Sequence, residues 1–279
     1  MKIKNCKTLL IDGPFIAHRS YGGKYRLTTS TGLDSTLISG FLQSLRKAKE
    51  EFNPEKTIIA WESKGYGSWR SNLYKSYKAN RIYHHPDYLD QQEDIKSILN
   101  HLNYPQYTTK DSEADDILAR CAKEETKPVI IYTNDKDMMQ LVQEGVYVWT
   151  GKQLFDTEKV IEKYRVHPNQ IPDLLAVGGD SADNIDGIKN YGPVKASRLL
   201  KKFEHIEDIP DDNILSKYKQ RLALFKSITK LKSDCTLIPV ENSDDNDLSH
   251  FLNKYELKKI SQNINDYKNK QTISLSKWI

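Results

Sequence analysis

The stretch from Asp111 to Gln140, DSEADDILARCAKEETKPVIIYTNDKDMMQ, constrains this chain more than any other. Glu113, Asp115 and Asp116 open a predicted helix. Asp135 and Asp137 follow the apolar run 128–133, a predicted buried strand. Five carboxylates on the rims of two adjacent elements repel one another unless something neutralises them, and such a cluster signals bound cations. Glu113 and Asp116 are three residues apart and share a helix face. The helix dipole favours one acid at an N-terminus, but three need a further reason. Asp111 or Ser112 is the expected cap, with Ala114, Ile117, Leu118 and Cys121 facing the core.

Other apolar runs extend the pattern. Thr8–Ile11 reads as a buried strand ending in the turn Asp12-Gly13-Pro14. Asp12 lies where open α/β sheets bind ligands, although an Asp before Gly is also an ordinary turn residue. Arg19 and Arg26 follow in a polar segment. Ser35–Phe52 has helical periodicity, Thr57–Trp61 is a second strand with Glu62 at its end, and Asp87–Leu102 is helical again. A helix over 136–142 and a strand over 146–149 follow the central acids. Strands alternating with helices imply an α/β fold with a mainly parallel sheet. Beyond Pro168 and Pro172 the pattern is helical, apart from a strand over 236–240. We therefore expect a core over 1–167 and a helical subdomain over 168–279.

Two segments suit a polyanion. Residues 63–85, SKGYGSWRSNLYKSYKANRIYHH, interleave Arg70, Lys75, Lys78 and Arg81 with Tyr66, Trp69, Tyr74, Tyr77 and Tyr83. Cations bind phosphates and aromatic faces stack on unpaired bases, while a solvated loop would have the same composition. In 176–203, Asp180 and Asp183 are further candidate ligands. Gly187-Ile188-Lys189-Asn190-Tyr191-Gly192 joins two short helices, the second starting near Lys195 and Ser197. Exposed amides in such a turn can hold a backbone phosphate, and a plain packing corner is the alternative. The stretch 241–247 reads as an exposed linker. The Lys-rich end, 253–279, is partly helical, and its Trp278 either anchors the tail or meets a partner.

Composition agrees with this reading. Placing nine of the 38 acids in one cluster leaves 29 against 42 Lys+Arg, a surplus of about 13 positive charges elsewhere. A basic surface around an acidic pocket fits a polyanionic substrate, though a Lys-rich surface is also common. No apolar run is long enough to span a membrane, and Asp12 interrupts the short apolar segment near the start, so we expect a cytoplasmic protein. Three dispersed cysteines, Cys6, Cys121 and Cys235, form no CxxC and suggest neither disulfide nor zinc.

Taken together, LLIDG, SYKANR, SEADD, TNDKD and GGDSADNIDGIKNYG, in this order over about residues 8–230, resemble the 5′-nuclease superfamily of flap endonucleases and 5′-3′ exonucleases. The chain looks most like the stand-alone bacteriophage-type enzymes. The resemblance implies a PIN-like α/β core, a helical arch over about 63–100, and a helix–three-turn–helix element over about 176–205. It implies metal-site carboxylates at Asp12, Glu62, Glu113, Asp115, Asp116, Asp135, Asp137, Asp180 and Asp183. One ion is expected nearer Asp12, Glu62, Glu113 and Asp115, the other nearer Asp135, Asp137, Asp180 and Asp183. The expected ions are two Mg²⁺, with Mn²⁺ as a substitute and K⁺ at the 187–192 turn, where Asn190 stands for the usual first glycine. Glu62 stands where the family has Asp. Lys78 and Arg81 are the expected catalytic cations. Arg19, Arg70, Tyr77, Lys78, Arg81, Lys189, Gly192, Lys195 and Ser197 are the expected nucleic-acid contacts, with Tyr77 stacking on a base.

The implied activity is metal-dependent hydrolysis of DNA at junctions with free 5′ ends, in replication or repair, by a monomer in a bacterial or phage-infected cell. Replication proteins are candidate partners for the tail. Two alternatives keep the fold: a primer-removing nuclease of ribonuclease H type acting on RNA–DNA hybrids, and a structure-specific DNA-binding module without catalysis. A haloacid-dehalogenase-type phosphatase is set aside, because it needs an Asp where Pro14 stands.

Overall fold

The computed structural model describes residues 3–23, 25–63, 68–80, 86–210, 213, 215–241 and 246–258. Seven strands form one sheet: β1 (Thr8–Asp12), β2 (Lys56–Ala60), β3 (Gln106–Thr108), β4 (Val129–Tyr132), β5 (Val146–Trp149), β6 (Leu154–Phe155) and β7 (Ile238–Pro239). Their spatial order is β6-β5-β4-β1-β2-β3-β7. The five central strands are parallel, and β6 and β7 pair antiparallel at the edges. The expected mainly parallel sheet is what forms.

Apolar side chains line both faces of the sheet, as buried parallel strands require. Leu10, Ile58, Ile131 and Val148 point to one face, covered by α5 (Ala114–Glu124), α7 (Ile171–Gly178) and α8 (Pro193–Lys202). Leu9, Ile59, Ile130 and Tyr132 point to the other, covered by α1 (Gly13–Tyr21), α2 (Thr36–Phe52), α4 (Pro86–His101) and α10 (Leu248–Lys254). The short α3 (Trp69–Leu73) precedes a turn over 75–80, and α9 (Lys219–Thr229) packs against α7. A small cluster of Tyr77, Ala176, Ile185, Phe225 and Ile228 joins this turn to the helical region. The helix α6 (Thr157–Tyr164) follows β6. No helix among the described residues is long and apolar enough to cross a membrane.

Three local expectations change. Asp12-Gly13-Pro14 is no turn: β1 runs directly into α1, Asp12 caps that helix, and Pro14 sits in its first turn, where a missing N–H costs nothing. Glu113, not Asp111 or Ser112, caps α5, in a reciprocal box with Asp116. The expected helix after the central acids is a 3₁₀ turn, Asp137–Leu141. Arg81, Tyr66, Tyr83 and Trp278 lie outside the described residues.

Candidate active site

Sheet order gathers the acids at one edge. From β1 the chain proceeds outward to β2 and β3 on one side, then returns to β4 and β5 on the other. Loops leaving the C-terminal ends of β4, β1 and β2 therefore meet at a topological switch point, the usual ligand crevice of such sheets. Asp12 ends β1, Glu62 lies two residues past β2, and Asp135 and Asp137 follow β4.

Hydrogen bonds hold these acids in register. Asp12 Oδ1 accepts from Phe15 N at 2.9 Å, and its Oδ2 accepts from Thr133 Oγ1 at 2.6 Å. Thr133 Oγ1 accepts from Asp135 N at 3.0 Å, and Asp135 Oδ1 accepts from Asp137 N at 2.9 Å. The helical region adds Asp180 and Asp183. One oxygen each from Asp137, Asp180 and Asp183 lies within 4.8 Å of the others, and all three residues are buried. Lys136 Nζ reaches Asp180 Oδ1 at 2.7 Å and offsets part of this charge.

Asp137 Oδ1 is buried with no hydrogen-bond partner. A buried carboxylate oxygen left without a donor is costly, so it marks the place where a ligand completes the structure. The electrostatics agree. Burial, then the charges of Asp135, Asp183 and Asp180, push the Asp137 carboxyl well above its usual range. Burial, then Asp135, do the same to Asp115, and burial lifts Asp12 to about 6. An all-oxygen donor set that resists ionisation in the absence of counter-charge fits hard divalent cations.

Glu113 and Asp116 belong to a different arrangement. Arg70 is 2% exposed and binds Asp116 with two parallel bonds, Nη1–Oδ2 and Nη2–Oδ1, both 2.7 Å. Asp116 also accepts from Trp69 Nε1 at 3.2 Å and from Lys232 N at 2.9 Å. Both of its oxygens are thus filled by protein donors, which corrects the expectation of a metal-site carboxylate. Glu113 Oε2 takes Lys78 Nζ at 2.8 Å and lies 2.9 Å from the Tyr77 hydroxyl and 3.4 Å from Arg70 Nη1. Burial alone would raise the Glu113 carboxyl, but Lys78 and Arg70 overcome it and hold the group at about 2. Burial would discharge Lys78, but Glu113 and its neighbours hold the ammonium well above its ordinary range, so it stays charged among the acids.

Three expected nucleic-acid contacts are buried instead. Arg70 is locked as described. Tyr77 is 6% exposed, its hydroxyl also 3.2 Å from Asp183 Oδ2, so its ring packs in the core and cannot stack on a base. Ser197 is 1% exposed and donates to Val194 O; three residues before Leu200, it falls on the buried face of α8 with Ala196. Lys189, Gly192 and Lys195 are exposed around the start of α8, and Asn190 takes the left-handed backbone that Asn tolerates, with φ 68°. Among the described residues, the N–H groups of Lys189, Asn190 and Gly192 make no backbone hydrogen bond. Arg19 is exposed on α1, lies over the Phe15 and Tyr132 rings, and donates to the Tyr132 hydroxyl and to Ser44 Oγ. Glu62 is half-buried.

The sequence reading missed several residues that shape the site. Thr133 ties Asp12 to the β4 loop, and Lys136 pairs with Asp180; both lie within or beside TNDKD, where adjacency was the available signal. Tyr164, at the end of α6, has its phenol pushed up to about 12 by burial, then by Asp135 and Asp137, and nothing in its local sequence announces that proximity. The turn over 76–80 is stitched to the 181–184 loop by Lys78 N to Asp183 O at 3.0 Å, Asn80 Nδ2 to Ser181 O at 3.2 Å and Asn184 Nδ2 to Ser76 O at 2.7 Å.

Comparison with known proteins gives this site its setting. Residues 7–165 match the family described as 5′-3′ exonuclease, N-terminal resolvase-like domain, and residues 166–263 match the 5′-3′ exonuclease C-terminal SAM fold. A 5′-3′ exonuclease of Aquifex aeolicus is 32% identical over 92% of this chain and 95% of its own. One of Mycoplasmopsis pulmonis is 32% identical over 78% of this chain and 75% of its own. DNA polymerase I of Bacillus subtilis is 30% identical over 85% of this chain but only 29% of its own length. Among solved structures, the phage T5 D15 protein co-crystallised with metal ions shares the fold with a TM-score of 0.64, at 19% identity over 80% of this chain and 88% of that one. The flap endonuclease-1 of Methanococcus jannaschii has a TM-score of 0.53 at 16% identity, over 83% of this chain and 81% of that one. The chain belongs to the 5′-3′ exonuclease family and is a nuclease of that family.

Proposed function

We propose that this nuclease is divalent-metal-dependent and cuts DNA at junctions between single strand and duplex that carry a free 5′ end, as a flap endonuclease as well as an exonuclease. The observation that carries the reading is the unpartnered, buried Asp137 Oδ1 within the Asp137–Asp180–Asp183 group. Asp137, Asp180, Asp183 and Asp135 would hold one Mg²⁺, and Asp12, Asp115 and Glu62 the other, with Mn²⁺ as a substitute. Such ions, when bound, supply Lewis-acid polarisation of a phosphate and activation of water.

The chain's own groups do the rest. Lys78, kept protonated between Glu113 and the acids, offsets charge on a phosphate approaching the site. Arg81 joins it in this reading. Glu113 and Asp116 orient Lys78 and Arg70 rather than ligate. Arg19 offers its exposed edge to a phosphate or 5′ end, while Lys189, Lys195 and the amides before α8 grip a duplex backbone. The core over 1–167 thus cuts and the region 168–279 grips. A K⁺-dependent duplex affinity would extend the reading to the 187–192 turn. A monomer in a bacterial or phage-infected cytoplasm, acting beside replication proteins, goes with it.

The test is cleavage of end-labelled 5′-flap, nicked and blunt DNAs, and of a 5′-RNA strand, with Mg²⁺, Mn²⁺ or chelator. Metal-dependent cuts at the junction, leaving 5′-phosphates, are expected. Absence of metal-dependent cleavage across ionic strengths refutes the proposal.

A further inference from the structure

The loop 180–185 serves two parts of the site at once. Asp180 and Ile185 exchange two backbone hydrogen bonds, each 2.7 Å, and Asp180 Oδ1 accepts from Ala182 N at 3.0 Å, so the loop is closed on itself. Its Asp180 and Asp183 are buried beside Asp137. Its Asn184 reaches out of the loop, and Nδ2 donates to Ser76 O at 2.7 Å.

Ser76 opens the turn that carries Lys78. Ala79 N donates to Ser76 O at 3.2 Å, which closes a β-turn, and Lys78 is its third residue, with φ 53°. A positive φ at that position ordinarily calls for Gly or Asn, because a Cβ there crowds the backbone. A lysine keeps such a conformation only where the surroundings over-determine it. Two sets of contacts do so. On one side, Lys78 Nζ pairs with Glu113 Oε2 at 2.8 Å. On the other, the 180–185 loop takes Lys78 N on Asp183 O at 3.0 Å and Asn80 Nδ2 on Ser181 O at 3.2 Å, besides giving the Asn184 amide to Ser76 O.

The residue type at 184 fits this task. Asn184 has φ 57°, which Asn tolerates better than other side chains with a Cβ. A carbonyl oxygen has two lone pairs, and Ser76 O gives one to the turn and the other to Asn184. We propose that Asn184 is a positioning residue for the reaction. Through Ser76 O it fixes the turn that sets the Lys78 ammonium beside Glu113, so the loop that carries Asp180 and Asp183 also places the cation. The proposal rests on the role given to Lys78 above and adds the residue that holds it in place.

Asn184→Gly tests this, because glycine keeps the left-handed backbone and deletes only the amide. The first readout is hydrogen exchange in chelator, which needs no cleavage. Peptides over 75–80 are expected to exchange roughly tenfold faster in the variant, with α5 and α7 unchanged. No acceleration at 75–80, or an equal acceleration throughout the chain, overturns the proposal. The second readout is cleavage of a 5′-flap DNA in Mg²⁺, where kcat should fall roughly tenfold with KM within about twofold. In a Lys78→Ala background the same substitution should cost less than about twofold, because the cation it places is gone. An equal loss in both backgrounds, or a smaller Mg²⁺-induced rise in melting temperature, would mean that Asn184 serves the acids instead, and overturns the proposal. A wild type that shows no Mg²⁺-dependent cleavage fails the nuclease reading, while the exchange data still judge the hold of Asn184 on the turn.

Discussion

Arg70 and Asp116 meet in a two-bond fork, with both N–O distances at 2.7 Å and neither side chain more than 2% exposed. Arg70 Nε also donates to Ile228 O at 2.8 Å, so one guanidinium joins α3, α5 and the end of α9. A residue whose local sequence reads as nucleic-acid binding is instead a fastener beneath the site.

Removing the guanidinium leaves a buried, uncompensated carboxylate. Arg70→Met should therefore lower stability by about 3–5 kcal/mol. Asp116→Leu on top of it should recover part of that loss, because the orphaned charge goes too. Denaturant melts of the two single variants and the double variant give the coupling. A simple sum of the single losses would refute the fork's energetic role.

The acidic site ties stability to metal and pH. In chelator, Asp12 titrates near 6 and Asp115 and Asp137 are raised as well, against about 3.9 for an unfolded aspartate. The folded state then binds more protons than the unfolded one across that interval. Stability should accordingly fall as pH rises from about 4 through 6. Mg²⁺ should reverse the fall at neutral pH and raise the melting temperature. Asp137→Ala should melt higher than wild type in chelator at neutral pH, gain less from Mg²⁺, and lose cleavage by a factor of about 100 or more while still binding duplex. Wild-type cleavage in that variant would remove Asp137 from the site.

The legible part of the fold and site follows a physical rule. Strand-end acids such as Asp12 and Asp135 sit beside apolar runs whose burial is written in adjacent residues, so the sheet and its acidic edge could be read locally. Burial of polar side chains could not. Arg70 and Tyr77 look like surface groups because their partners lie 46 and 36 residues away, at Asp116 and Glu113. Short strands such as β3 and β6 were missed for a related reason: two or three residues show no periodicity, and pairing with neighbours defines them.

Asp173 offers a test away from the site. It is fully buried on α7, accepts from Ile206 N at 3.2 Å, and contacts Lys226 Nζ at 2.8 Å and His205 Nδ1 at 3.0 Å. Lys226 also pairs with Glu207 at 2.6 Å, so an ammonium stands where these three side chains would otherwise suit a metal ion. Burial acts to lower the Lys226 pKa, but Asp173 and Glu207 raise it. Its stabilisation is thus complete below the unfolded lysine value and is lost as pH rises through the folded one. Lys226→Met should cost about 2 kcal/mol at neutral pH, less than for a fully buried pair because the lysine is partly exposed. The deficit should shrink in strong alkali. A variant as stable as wild type at neutral pH would refute the pairing.

The last prediction concerns the corner before α8. Gly187 has φ +64°, and a Cβ there would lie 2.4 Å from Gly179 N and 2.7 Å from Val177 O. Both are backbone atoms of the opposing segment, so no side-chain rotation relieves the overlap. Gly192, five residues on, has φ −66° and nothing within 4 Å of an added Cβ. Gly187→Ala should therefore lower stability by more than about 2 kcal/mol and weaken duplex binding, whereas Gly192→Ala should melt close to wild type. Comparing the pair separates backbone strain from loss of a glycine as such. If Gly187→Ala binds duplex DNA like the wild type, the corner is only packing, and the duplex grip must be sought elsewhere on the basic surface.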